Sequence, residues 1–141
     1  MNESNELRDP QYLDAGETYG SFEEFKEQIL YKRIVKWDDD MLTLDDGTVM
    51  YIVCSEQDCC SSAGGEFTNV ELDAVITDVL PPEDAPEEED DYCTNRVTLK
   101  IFHNQNVIAQ ANMKADCGDS GYYYSVGSIQ IDKVHYEMVS A

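Results

Sequence analysis

The chain has 141 residues and 16.0 kDa, with 30 acidic side chains against 9 Lys and Arg, for a net charge of −21. That length suits one domain, and the charge excludes a nucleic-acid binder and an anionic membrane surface, since both need clustered cations. A hydrophobic fraction of 42% with 10% aromatics is too rich for a disordered chain, and no apolar run approaches the ~18 residues of a membrane span.

Residues 1–20 read as a loose N-terminal arm, punctuated by Pro10, Gly16 and Gly20, and residues 21–141 as a single acidic domain. Its polar first ten residues lack the basic-then-apolar order of a signal peptide, which predicts a cytoplasmic protein. Ser21-Phe22-Glu23-Glu24 is a capping box, and Phe22, Phe25, Ile29 and Leu30 follow at helical spacing, predicting a short amphipathic helix over 22–30. The period then becomes strand-like. Strands are expected at Tyr31–Trp37 and Met41–Leu44, on either side of Asp38-Asp39-Asp40, and at Thr48–Cys54 after the tight turn Asp45-Asp46-Gly47. Thr48–Cys54, the most apolar run, is expected to be a central strand. Residues 56–69, with Asp58-Cys59-Cys60 and Gly64-Gly65, read as a loop, and the β-branched Leu72–Leu80 as a strand ending at Pro81. Arg96–Phe102, Val107–Met113, Tyr122–Ile131 and Lys133–Val139 complete six to eight strands. The expected class is α+β, with one short N-terminal helix on a mostly antiparallel sheet or small half-barrel.

The charge is concentrated. No Lys or Arg occurs in the 59 residues between Lys36 and Arg96, and 18 acids do, which is −18 of the −21. Seven of them (Glu83, Asp84, Glu87, Glu88, Glu89, Asp90 and Asp91) follow Pro81-Pro82 and flank Pro86, so 81–91 is expected to be an exposed acidic loop. Surfaces ordinarily mix signs because like charges repel, and a one-signed field of this size points to a basic partner or a bound cation.

Catalytic motifs do not hold up on inspection. Gly118-Asp119-Ser120-Gly121 spells the surroundings of a protease nucleophile, but the chain is too short for two barrels and both His103 and His135 look unsupported. The five cysteines, Cys54, Cys59, Cys60, Cys93 and Cys117, are odd in number and irregularly spaced. They make a poor disulfide framework and no Cys-x-x-Cys zinc pattern, so they read chiefly as small buried hydrophobes, with a metal site or a redox role for Cys59-Cys60 as the alternatives. The aspartate clusters lack the alternating pattern of a calcium loop. Tyr122 and Tyr124 share one face of their expected strand, a core face or a partner surface. No catalytic residue, cofactor or resident metal is assigned, and the protein is not expected to be an enzyme.

The order Asp45-Asp46-Gly47-Thr48, a strand, Gln57-Asp58-Cys59-Cys60 and then Leu72–Leu80 resembles a family of uncharacterised small proteins from bacteriophages. The family continues with a Pro- and acid-rich loop, here Pro81–Asp91, and a Ser-Asn-Gly-Tyr-Tyr-Ser element, here Asp119-Ser120-Gly121-Tyr122-Tyr123-Tyr124-Ser125. The resemblance covers roughly residues 21–132. Two departures mark this chain: Ser61 stands where the family usually has Glu, and the tyrosine element carries one inserted residue. The resemblance implies phage infection as the setting and carries no activity.

Charge and setting together lead to an expected function: a non-enzymatic phage accessory protein, acting in the host cytoplasm as a DNA-mimic-like inhibitor. Its partner would be a basic host protein, a defence or nucleic-acid enzyme, contacted through Asp38, Asp39, Asp40, Asp45, Asp46, the acids of 83–91, and Tyr122 and Tyr124. The alternative is an oligomeric module that sequesters a small ligand such as a signalling nucleotide. It would use the tyrosine strand and the Asp-Cys-Cys loop as its pocket, with Arg33, Arg96 and Lys100 as candidate phosphate contacts.

Overall fold

The structure is a computed structural model and describes residues 13–88, 92–118, 121 and 123–141. Eleven strands and one helix occur among them. The strands are β1 (Thr18–Gly20), β2 (Ile34–Asp38), β3 (Met41–Leu44), β4 (Val49–Gln57), β5 (Ala63–Thr68), β6 (Asp78–Val79), β7 (Glu83–Asp84), β8 (Thr94–His103), β9 (Asn106–Asp116), β10 (Ser125–Ile131) and β11 (Val134–Ser140), and the helix is α1 (Phe22–Ile29). They form a six-stranded sheet, β1-β11-β10-β4-β3-β2, and a five-stranded sheet, β5-β9-β8 with β6 and β7 both on the outer edge of β8. Among the described residues every strand pairing is antiparallel except β1 with β11.

The α+β expectation is therefore corrected: the fold is mostly β, with two sheets enclosing one core. The capping box at Ser21 forms as the sequence predicts, Ser21 Oγ accepting from the Glu24 amide at 3.2 Å while the Ser21 amide donates to Glu24 Oε1 at 3.3 Å. Yet α1 buries only Phe25 and Ile29 completely, and Phe25 meets the Tyr136 ring at 5.4 Å between centroids. Two such side chains contribute about 1.5–3 kcal/mol each, enough to dock one turn-rich element and too little to build a helical layer. The core comes from alternation on strands, such as Val97, Leu99 and Ile101 of β8 facing Met113, Ala111 and Ala109 of β9, joined by Met50, Ile52, Ile129 and Tyr136 of the other sheet.

Three further expectations change. Residues 56–69, read as a loop, hold the end of β4 and all of β5. Gly64-Gly65 misleads because glycine ordinarily weakens a strand, whereas a Cβ at Gly65 would lie 2.1 Å from the Asn112 carbonyl oxygen, so close backbone approach requires glycine there. Of Leu72–Leu80 only Asp78 and Val79 form a strand, since Asp73 turns the chain with φ 69°. The N-terminal arm ends in β1, which lies parallel against β11, and residues 1–12 of that arm lie outside the described residues. The strands at 41–44 and around Thr48–Cys54 form as expected, and β4 is central, flanked by β3 and β10.

Two β-bulges shape the site that follows. On β4, Val126 pairs with Glu56 and Gly127 with Cys54, leaving Ser55 as the extra residue, and on β11 Met138 is extra in the same way. A bulge lets consecutive side chains share a side. Ser55 and Glu56 are accordingly both buried, as are Met138 and Val139.

Gly65→Ala is expected to be among the most damaging single changes on the second sheet, costing about 2 kcal/mol or more through displaced backbone. Thermal melting against the parent chain checks it, and an unchanged midpoint would contradict the close approach.

Candidate functional site

The acidic residues singled out from sequence separate into two groups. Asp38 ends β2, and Asp39 and Asp40 form the exposed β2–β3 turn, which bends over the edge of β5: the Phe67 amide donates to the Asp39 carbonyl at 2.7 Å, and Trp37 Nε1 donates to the Phe67 carbonyl at 3.2 Å. From there a cleft of about 790 Å³ runs across the outer face of the five-stranded sheet, with Asp39, Glu66, Glu87 and Glu88 around it. Asp38 and Asp40 continue the rim into an adjoining depression beside Trp37. The cleft floor carries Arg96 and Lys114, direct cross-strand partners on β8 and β9, with Thr98 and Asn112 beside them. Arg96 Nη2 reaches Glu88 at 3.3 Å. Six carboxyl groups thus stand against two cations among the described lining residues.

The acidic run does not begin as a loop. Glu83 and Asp84 form β7 on the edge of β8, and the Ala85 amide donates to the Arg96 carbonyl at 2.8 Å, so the backbone of 83–85 is fixed while its carboxyl groups face solvent. Glu89, Asp90 and Asp91 lie outside the described residues.

Asp45 and Asp46 belong elsewhere, on the β3–β4 turn at the opposite end of β3. Asp46 Oδ2 lies 2.8 Å from Lys32 Nζ and its Oδ1 accepts from the Thr48 amide at 3.0 Å. Lys32 first, and Thr48 after it, hold that carboxyl well below the usual carboxylate range. Asp45 Oδ1 accepts from the Arg33 amide at 3.3 Å, so both aspartates are engaged in shaping their own turn.

The tyrosine element departs from its expected strand. β10 starts only at Ser125, and Tyr122 lies outside the described residues. Tyr124 is drawn instead against the Asp-Cys-Cys loop: its amide donates to Asp58 Oδ2 at 3.1 Å, its carbonyl accepts from the Asp58 amide at 3.1 Å, and Ser61 Oγ donates to that carbonyl at 2.5 Å. Gly118, at φ 77°, fits between them, because a Cβ there would come within 2.9 Å of the Cys60 carbonyl oxygen and 2.7 Å of the Tyr123 ring. The two elements that carried the family resemblance therefore touch. They close on each other rather than opening as a pocket, while Arg96 and Lys100 sit on the outer face of β8 and Arg33 donates to the Asp73 carbonyl at 2.5 Å.

Beneath this contact lies a buried polar network that sequence reasoning missed. Glu56 is 2% exposed, and its two carboxyl oxygens accept from Tyr124 Oη at 2.6 Å and from Tyr19 Oη. Hydrogen bonds to a charged acceptor are worth about 1.5–3 kcal/mol each, and so this pair ties β1 and the tyrosine element to β4. His135 is likewise supported: its Nε2 lies 3.0 Å from Glu17 Oε1 and its Nδ1 2.7 Å from Ser55 Oγ. A carboxylate can only accept, so it is Nε2 that donates to Glu17. The order Ser–His–Glu has the outline of a triad, but Ser55 and His135 are each only 5% exposed, and the arrangement works as a clasp that fastens β1 to β11.

The cysteine expectations are corrected in part. Cys93 and Cys117 form a disulfide with Cα atoms 5.6 Å apart, one step beyond the Thr94–Asp116 pair, and Cys59 and Cys60 are bonded to each other within a turn. Only Cys54 is a free thiol, and burial pushes its pKa up. Among the described residues no group of three or more His, Cys, Asp or Glu is placed to hold a metal ion, and no helix is long and apolar enough to cross a membrane.

Residues 27–130 match a domain of unknown function, DUF7448, and the chain belongs to that family. The match takes in the cleft, the Asp-Cys-Cys loop and the tyrosine element, and leaves out Glu17, β1 with Tyr19, and β11 with His135. No curated protein and no solved structure matches the chain.

The clasp makes a pH prediction. Burial alone would push the Glu17 carboxyl up, but hydrogen bonds from His135, the Asp14 amide and Gln130 and the imidazole charge outweigh it and hold it below 4.5. Its folded value is thus depressed, so it adds stability above pH 4.5 that is lost as pH falls through the folded value. Glu17→Gln is expected to be less stable than the parent at neutral pH and to converge on it in acid, as read from urea midpoints across the range. A constant offset at every pH would contradict the assignment.

Proposed function

We propose that this protein is a non-enzymatic accessory protein of phage origin that binds the basic, nucleic-acid-contacting surface of a host enzyme, with its carboxyl groups standing in for phosphates. The observation that carries the reading is the convergence of Asp38–Asp40, Glu66, Glu87 and Glu88 around one cleft, beside the exposed Glu83 and Asp84. Grooves lined with Arg and Lys attract such a field over about a Debye length, and a rigid sheet fixes its spacing. The phage setting rests on the resemblance of the Asp-Cys-Cys and Gly-Tyr-Tyr elements, and a host cytoplasm follows from that setting.

The clustering of carboxyl groups around the cleft supports that side as the contact surface. Asp45 and Asp46 are the outlying members of the acidic set, and the closed Tyr124 contact favours the protein-binding reading over a small-ligand pocket between the tyrosine element and the Asp-Cys-Cys loop.

The test is a pull-down from host lysate at about 0.1 M and about 0.5 M salt, followed by competition with duplex DNA for the identified protein. Substituting Asp38, Asp39 and Asp40 by Asn and Glu87 and Glu88 by Gln is expected to weaken that binding by about tenfold or more, while Asp45→Asn leaves it within about twofold. Equal binding by the neutralised variant, or capture indifferent to salt and DNA, would overturn the reading.

A further inference from the structure

We propose that Cys59–Cys60 is an exchangeable disulfide that reacts with low-molecular-weight thiols and, by opening, loosens the hold of the Asp58–Ser61 loop on Tyr124. The two disulfides differ in what they can do for the fold. Cys93–Cys117 links the ends of β8 and β9, spans 24 residues of chain and has Cys117 buried at 3% exposure. It constrains the unfolded chain, as loop-closing bridges do. Cys59–Cys60 joins neighbouring residues and closes no chain loop, so it contributes nothing by that route. Both of its residues are exposed, which gives an attacking thiolate access.

Its position gives the opening a consequence. The bonded pair is flanked on one side by Asp58, which exchanges two hydrogen bonds with the Tyr124 backbone, and on the other by Ser61, whose hydroxyl holds the same carbonyl. The Cys60 carbonyl abuts Gly118 next to the second disulfide. A ring between consecutive residues restricts the backbone between Asp58 and Ser61, and both clasping groups depend on that short span. Cys54 does not compete for the role, because burial raises its thiol pKa and its Sγ donates to the Glu56 carbonyl at 3.4 Å.

The exchange balances. A thiolate attacks one sulfur, the S–S bond breaks, and the electron pair leaves on the other sulfur, which takes up a proton. A second thiol attacks the mixed disulfide, leaving two protein thiols and one small-molecule disulfide, so two electrons pass to the protein. Oxidation is the reverse, with that small-molecule disulfide as the oxidant.

The test incubates the full chain in glutathione buffers of graded reduced-to-oxidised ratio, then reads cysteine alkylation by peptide mass and amide exchange at Ser61 and Tyr124. Cys59 and Cys60 are expected to become alkylatable together at a ratio that leaves Cys93–Cys117 intact. The Tyr124 amide should then exchange about tenfold faster or more, reversibly on reoxidation. Cys60→Ser fixes the open form and should show the fast exchange in every buffer. Opening only in step with Cys93–Cys117, resistance at every ratio, or opening with Tyr124 exchange unchanged would each overturn the proposal.

Discussion

Mutual repulsion among the carboxyl groups of residues 37–95 is the constraint that the rest of the molecule answers. Eighteen like charges on 59 residues favour an expanded chain, and a compact state survives only if their side chains leave the interior while the backbone beneath them is pinned. The two sheets do this. Strand alternation sends Leu42, Leu44, Met50 and Ile52 inward, and the acids fall at turns and edges: Asp38–Asp40 at one hairpin tip, Asp45 and Asp46 at the other, Glu83 and Asp84 on the rim of β8. The few cations are placed locally, Lys32 at Asp46, Lys26 at Asp78 and Arg96 at Glu88. Around the cleft they are outnumbered, and that excess is the ground on which a basic partner is proposed.

Glu56 is the exception, a carboxyl from the same acidic stretch taken inside. The β4 bulge turns it and Ser55 to one side, and tyrosine hydroxyls from two distant segments meet it. Burying an acid is costly unless its oxygens are satisfied, and Tyr19 and Tyr124 each donate to one of them. Through Glu56 and His135 the N-terminal strand, the central strand and the tyrosine element become one unit, and the Asp-Cys-Cys loop rests on its surface.

Local signals were legible in the sequence. The capping box at Ser21 and the Asp45-Asp46-Gly47 turn, with Gly47 at φ 92°, form because each depends on neighbours within four residues. What could not be read are features made by register. The partners of His135 lie 80 and 118 residues away, and Cys93 and Cys117 become neighbours only because β8 and β9 pair in one alignment. The strand over 63–68 was hidden because Gly64-Gly65 has the composition of a loop, and only the Asn112 backbone explains the second glycine. Tyr124 has a strand former's propensity, overridden by Asp58 and Ser61. Composition located the acidic excess but not its sorting, since Asp38–Asp40 and Glu87–Glu88 meet through the bend of the β2–β3 turn over β5.

The most direct measurement of this account is thermal stability as a function of sodium chloride, from about 0.05 to about 0.5 M, for the parent chain and for the variant neutralised at Asp38, Asp39, Asp40, Glu87 and Glu88. Uncompensated repulsion at the cleft predicts a melting temperature that climbs with salt in the parent and climbs distinctly less in the variant, which starts higher. Parallel curves, or a parent indifferent to salt, would mean that the cleft acids are already neutralised within the fold, and the reason for inferring a basic partner would be gone.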